Sequence, residues 1–310
     1  MKGRWRRAAL LGMVRLFAAL PMAASQRLGG LIGWMAWRTG RRVTRTSRQN
    51  IARCLPELTP KAREALVRES LIQTGKTLTE TGPLWRWPMD RLQPLIREVV
   101  GREHLDQAMA RGRGAILLGP HIGAWELGGL YSALLYPTTI LYRPPRQPEL
   151  EEAVRKARAR FGANLVPAGH RGVRALLAAL KRGELVAILP DQEPRFGQGV
   201  FAPFFGQPAY TLSLVASLLR RTGAVAVMGY VERLPAGAGY RLHYLPAPEA
   251  LDDPDPVTAA TALNRGVEQC VRALPEQYQW SYRRFRRAER EGLLCGPENM
   301  NQETAAPVRH

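Results

Sequence analysis

Short apolar runs alternate with helical patterns from Ala115 to Leu274, and a chain built that way has few folds open to it. The runs at 115–119, 138–142, 164–167 and 185–189 read as strands. Helical patterns occupy 124–135, 148–161, 172–182 and 210–221. Two longer strands, 225–232 and 240–245, precede a last helix at 256–274. Strands that alternate with helices pair in parallel, because the crossover helix carries the chain back to the same end of the sheet. The predicted class is therefore α/β: a mostly parallel mixed sheet flanked by helices, with an antiparallel pair near its end. Upstream, 58–81 reads as a helix capped by Thr59 with Pro60 in its first turn, and 101–113 as a shorter one. No internal repeat and no long linker divides the chain.

The N-terminus carries a different signal. Lys2, Arg4, Arg6 and Arg7 precede an apolar stretch from Ala8 to Ala24, and a second stretch runs from Leu28 to Trp37. Arg15 interrupts the first stretch, and apolar sequence resumes beyond the Ala23-Ala24-Ser25 site where a signal peptidase would cut. The second flank is basic too, with Arg38, Arg41, Arg42, Arg45 and Arg48. Positive charge on both sides fits a spanning helix poorly, and a segment lying on the inner leaflet well. The expectation is an N-terminal membrane-anchoring helix within residues 1–37, with a single span as the alternative. The net charge of +19 calls for an anionic partner such as a lipid surface, a phosphorylated substrate or nucleic acid. Cys54, Cys270 and Cys295 lie too far apart for a zinc or disulfide framework, so no metal is expected.

Some motifs fail on inspection. Gly75-Lys76-Thr77 ends like a phosphate-binding loop, but Ser70 stands where the first glycine is required. There is no G-x-S-x-G for a serine hydrolase elbow. The segment Gly114–Gly129, G-A-I-L-L-G-P-H-I-G-A-W-E-L-G-G, holds up better. A buried strand ends, His121 follows in a turn, and a helix begins. In that turn Glu126 can reach back to the ring, as a capping-box glutamate does, and Gly123 keeps the approach open. Neutral imidazole is the usual base near pH 7, and a carboxylate on its second nitrogen fixes the tautomer. The pair suits removal of a proton from a hydroxyl that attacks a thioester. Free N–H groups at the helix start would face the developing negative charge.

Several blocks in the chain resemble the lipid A late-acyltransferase family, within the lysophospholipid-acyltransferase group marked by H-x-x-x-x-D/E. They are Gly119–Gly129, Leu141–Pro144 with Ala157–Gly162, Leu189–Thr211, and Pro275–Phe285, and Arg48–Leu58 is similar to the family's N-terminal part. The resemblance implies a glycerolipid-acyltransferase-like fold and no cofactor. It also implies an inner-membrane enzyme, its site facing the cytoplasm, that moves a fatty acyl chain from acyl carrier protein to a hydroxyacyl hydroxyl of a lipid A precursor. Carried over by motif, His121 is the base and Glu126 its partner. Some members have His where Tyr282 stands, so Tyr282 is given no role.

The domain at 38–300 is then the acyltransferase domain and 301–310 a flexible tail. The loop after the strand at 185–189 offers Asp191, Glu193 and Arg195 for substrate binding, Arg195 foremost for a phosphate. Arg143, Arg158 and Arg160 are further candidates for the same headgroup, and Phe201, Phe204 and Phe205 for an acyl groove. Arg283, Arg284, Arg286 and Arg287 read as a surface patch. The rival within enzymes is transfer to another lipid acceptor, a lysophospholipid or a glycosylated lipid. The rival from charge alone is a nucleic-acid-binding protein, but no basic-aromatic module is present, so no nucleic-acid partner is expected.

Overall fold

The computed structural model describes residues 2–145 and 148–294. Residues 301–310, read above as a tail, and Cys295 lie outside them. The N-terminal part is helical: α1 (Lys2–Ala19), α2 (Met22–Arg38), α3 (Arg42–Cys54), α4 (Pro60–Arg86) and α5 (Met89–Leu92). Then come β1 (Ile96–Val100), α6 (Arg102–Ala110), β2 (Ala115–Leu118), α7 (Trp125–Leu135), β3 (Thr138–Tyr142), α8 (Pro148–Ala159), β4 (Asn164–Pro167), α9 (His170–Lys181) and β5 (Leu185–Ile188). A hairpin, β6 (Gly199–Phe204) and β7 (Gln207–Leu212), leads to α10 (Leu214–Thr222), β8 (Val225–Arg233), β9 (Tyr240–Pro246), α11 (Pro256–Ala273) and α12 (Arg286–Arg290).

Seven strands form one sheet in the order β1-β9-β8-β2-β5-β3-β4. β8 and β9 pair antiparallel, and every other neighbouring pair is parallel. The predicted α/β class with its antiparallel pair is what the chain adopts. Alternation within β2 shows why both faces are covered. Ile116 and Leu118 join a core that also holds Leu176 of α9, Leu218 of α10 and Val267 of α11. Ala115 and Leu117 face the other way, toward Leu105 of α6 and Tyr244 of β9.

Helix starts follow local chemistry. The Thr59 side chain accepts from the Ala62 N–H (3.2 Å) with Pro60 in the first turn, as expected, and Asp255 does the same for Thr258 (2.8 Å) at α11. α4 runs further than predicted, to Arg86, and carries Pro83 inside it. The segment read as one helix over 210–221 instead begins in β7 and only becomes helical at Leu214. Among the described residues, no helix is long and apolar enough to cross a membrane. The alternative of a spanning helix within 1–37 is thereby set aside.

Cys54 and Cys270 are buried at 2% and 0% exposure. Burial pushes both thiols up, Cys270 to about 12. Neither should react with a soluble thiol reagent at about pH 8 while the protein is folded, since the thiolate is the reactive form. Both should react in denaturant. Peptide mapping of the modified protein checks this, and rapid native labelling of either position would contradict the packing.

Candidate active site

The sheet register brings the site together. Leu118 of β2 pairs with Ile188 of β5, so the residues three further along each chain, His121 and Asp191, leave the sheet side by side. Sites in open α/β sheets gather at such strand ends. The Asp191 carboxylate accepts from the His121 ring Nδ1 (2.8 Å) and from the His121 backbone N–H (3.0 Å). On the far side of the ring, the Gln192 amide lies 3.2 Å from Nε2 and 3.3 Å from Oε1 of Gln279. An ionised carboxylate only accepts, so Nδ1 carries the proton and Nε2 presents its lone pair. Burial pushes the Asp191 carboxyl up, but the charge and hydrogen bonds of His121 outweigh this and hold it below the ordinary carboxylate range. A carboxylate lowered in the fold stabilises it above the unfolded value near pH 4, and that contribution is lost as pH falls through the folded one.

Glu126 does not meet the ring. It is the second residue of α7, and its two oxygens accept from Arg158 of α8: Oε2 from Nε (2.9 Å) and Oε1 from Nη2 (2.5 Å). The expectation of a His121–Glu126 hydrogen bond is corrected on this point: Asp191 holds the position on Nδ1. Trp125 links the two arrangements, since its ring meets His121 edge-on at 4.9 Å and Arg158 sits over it at 5.3 Å. The role foreseen for Gly123 also changes. Gly123 has φ +57°, and a Cβ there would lie 1.9 Å from the Val231 carbonyl oxygen. It is needed for a left-handed turn packed on β8. The N–H groups of Gly123 and Ala124 are taken by the carbonyls of Gln277 (3.0 Å) and Val231 (3.0 Å), so those two do not face a reacting group.

Among the described residues, cavities border this loop on several sides. A narrow apolar one of about 80 Å³ runs beneath α7, from Trp125 and Glu126 down past Gly128 and Gly129 to Leu117 and Tyr244. A second, of about 220 Å³, opens beside His121 and Trp125 and is lined by Arg143, Glu193 and Arg195. The third, of about 330 Å³, reaches His121 from the side of α2 and α4.

The remaining candidates divide. Arg158 borders the first two cavities, and Asp191 orients the histidine directly. Glu193 is buried and accepts from the Arg287 backbone N–H (2.8 Å). Arg160 borders none of the three: it donates to the Leu84 carbonyl (2.9 Å) and lies over Phe161, and burial lowers it to about 10. Phe204 and Phe205 are core residues packed with Phe285 and Trp280, and Phe201 meets Tyr210. The acyl groove expected there is therefore corrected, since the apolar cavity lies under α7 instead. Arg284, read as part of a surface patch, is buried at 2% exposure on Tyr210, Thr211 and Asn264.

Gln192 and the α4 connection went unread in the sequence. Thr77 of α4 donates to the Gly123 carbonyl (3.3 Å), tying the N-terminal helices to the histidine loop. The Pro-polar pairs after both strands, Pro120-His121 and Pro190-Asp191, were the available signal for a second residue at the ring.

Known proteins share this chain's pattern over nearly its whole length. It is 34% identical over 280 residues to the lipid A biosynthesis lauroyltransferase of Escherichia coli K12, covering 89% of this chain and 90% of that one. It is 33% identical over 277 residues to the palmitoleoyltransferase of the same strain, covering 89% of each. A myristoyltransferase from that strain is 25% identical over 252 residues, covering 80% of this chain and 77% of the relative. The family described as bacterial lipid A biosynthesis acyltransferase matches residues 1–287, and the chain belongs to it: it is an acyltransferase of lipid A, and hence lipopolysaccharide, biosynthesis.

Proposed function

We propose that this enzyme transfers a fatty acyl chain from acyl carrier protein to the hydroxyl of a 3-hydroxyacyl chain on a lipid A precursor, with His121 as general base. The observation that carries the reading is the ring of His121, which borders two cavities with its Nδ1 proton on Asp191 and its Nε2 on the Gln192 amide. The acceptor hydroxyl gives its proton to Nε2 as its oxygen attacks the thioester carbonyl. The tetrahedral intermediate collapses, the thiol leaves, and the imidazolium returns the proton to it. Asp191 stabilises the imidazolium between those steps. Glu126 acts one step removed: it holds Arg158 at the mouth of the apolar cavity, where the thioester of a chain lodged beneath α7 would lie.

Residues 1–37 lie in the inner-membrane interface in this reading, and the site faces the cytoplasm. Trp5, Met13 and Leu16 of α1 are exposed, which suits an interfacial helix. Purified enzyme incubated with acyl carrier protein thioesters and lipid A precursors, read by mass spectrometry, tests the donor and acceptor together. Mass gain with a lysophospholipid acceptor and none with the lipid A precursor would replace the acceptor assignment.

Arg143 and Arg195 are assigned to a phosphate of the acceptor, because both line the polar cavity beside His121. Arg195 is exposed, so screening limits its worth. Arg195→Lys is expected to raise the acceptor KM about threefold to tenfold, since lysine lacks the two-point fork. Arg182→Lys, on an exposed arginine paired with Glu184 at the far end of α9, should leave it unchanged. Equal behaviour of the two would reduce Arg195 to part of a diffuse basic field.

A further inference from the structure

The cavity of about 330 Å³ between α2, α4 and the histidine loop has been given no ligand so far. Its two ends differ. The inner end is His121, Trp125 and Gln279, which places it against the base. The walls leading outward are apolar or small: Ile32 and Ala36 on α2, Leu71, Thr74 and Leu78 on α4, and Val43 on α3. Leu78 and Val43 are 50% and 39% exposed, so the apolar lining continues onto the surface.

What it meets there is more apolar surface. Leu31, Trp34 and Met35 of α2 are exposed at 52%, 43% and 45%, and Met35 stands three residues from Ile32, on the cavity side of the helix. Contiguous exposed apolar side chains of this size mark a site that is covered in use. The charged residues that flank the α2 part of this surface in the chain, from 27 to 45, are all cationic and all exposed: Arg27, Arg38, Arg41, Arg42 and Arg45. An apolar mouth collared by arginine complements a bilayer of anionic lipid, with the chains meeting the mouth and the headgroups the collar.

The walls are also rigid. A Cβ on Gly33 would lie 2.0 Å from the Leu71 carbonyl oxygen, and one on Gly75 would lie 2.0 Å from that of Gly29. The two helices therefore touch backbone to backbone, and the channel between them and the histidine loop is preformed.

We propose that this groove is the lateral port for the lipid acceptor: it takes the acceptor's hydroxyl-bearing acyl chain from the membrane plane and delivers the hydroxyl to Nε2 of His121, displacing the Gln192 amide. The inference rests on the acyl-transfer reading above and adds the acceptor's binding site to it. Chain chemistry separates the two apolar cavities. The one beneath α7 is lined by Trp125 and Glu126 beside the catalytic loop, with Arg158, so it suits a chain brought in on a soluble carrier. The α2–α4 groove opens on the apolar surface, so it suits a chain that never leaves the bilayer.

Two measurements on the full-length protein in anionic phospholipid vesicles decide the matter. The first compares wild type with Ala36→Trp and Thr74→Trp, which narrow the groove away from the catalytic loop. The acceptor KM should rise by about tenfold or more, the effect of denying burial to a few methylenes, with the donor KM little changed. A rise in donor KM alone would overturn the assignment. The second needs neither turnover nor variants. A glycolipid acceptor with a diazirine near the end of its 3-hydroxyacyl chain is photolysed on wild-type protein, and the adducts are mapped. Adducts on α2, α3 and α4 support the port, and adducts confined to α7 and β8 overturn it. If wild type labels in the groove but transfers no acyl chain, the reaction reading falls and the port stands. If it transfers but labels only under α7, the port falls alone.

Discussion

Asp191→Asn should cost nearly as much activity as His121→Ala. The alanine variant removes the base, and general-base contributions are typically about 10² to 10⁴ in rate. The asparagine variant leaves the base in place but changes what its ring meets. An amide can present N–H where the carboxylate accepted, favouring the tautomer with the proton on Nε2, where it cannot take one from the hydroxyl. It also withdraws the charge that stabilises the imidazolium. In the Ser-His-Asp system the equivalent change costs roughly 10⁴ in kcat, and a loss on the order of 10³ or more is expected here. The loss should appear in kcat and in kcat/KM alike, because the interaction matters in the transition state. Glu126→Gln should behave differently. It breaks a two-point pair with Arg158 some distance from the ring, so the acyl donor's KM should move more than kcat. Circular dichroism and membrane fractionation establish that each variant folds and localises. If Glu126→Gln abolishes turnover while Asp191→Asn keeps most of it, Glu126 is the residue that serves the base in the working enzyme, and the arrangement described above is only a resting one.

That reversal of partners shows where a sequence stops being readable. The strand and helix alternation was legible because burial on both faces of a sheet makes apolar runs, and the cap Thr59-Pro60 marks a helix start in any context. His121 was legible because its turn sits between the end of a strand and the start of a helix. Its partner was not, since Asp191 is seventy positions away and meets it only through the register of β2 on β5. Glu126 was near in the chain but faces α8 once α7 begins at Trp125. The β6–β7 hairpin was missed for a local reason. Proline is disfavoured inside a sheet, yet Pro203 and Pro208 sit opposite each other across a hairpin outside the main sheet. Its turn is Phe205-Gly206, with φ of +49° and +74°, where Asn-Gly would have been the recognisable signal. The acyl-groove phenylalanines were lost with it, because one face of that hairpin is core.

Glu80→Gln or Arg233→Met should destabilise the fold more than any other single polar substitution in the described residues. The Arg233 guanidinium donates to both Glu80 oxygens (2.7 and 2.5 Å), and each side chain is only 1% exposed. Gln73 and Thr77 of α4 take its other N–H groups (2.8 and 3.1 Å), and Gln26 and Tyr240 donate to Glu80 (2.7 and 2.9 Å). Removing one partner of such a pair strands a buried charge and costs about 3–5 kcal/mol. Against a total of about 5–15 kcal/mol, that is a large share. At roughly 2–4 °C per kcal/mol for a domain of this size, Tm should fall on the order of 10 °C. A worth in stability does not follow from this, because an apolar pair of matched volume is often as stable. Glu80→Leu with Arg233→Met should therefore recover much of the loss. Activity should not recover with it. Arg233 holds Gln277 through its backbone N–H (2.9 Å) and Thr77 through its side chain, and those two residues bind Gly123 from either side. The double variant keeps the backbone contact but removes the Arg233 hydrogen bond to Thr77, and so loosens the wall that α4 presents to His121. A stable double variant with raised acceptor KM would mark the buried pair as what holds the helices in register with the base. A double variant as unstable as the singles would mean that the polar network around the pair, rather than the two charges, sets the cost.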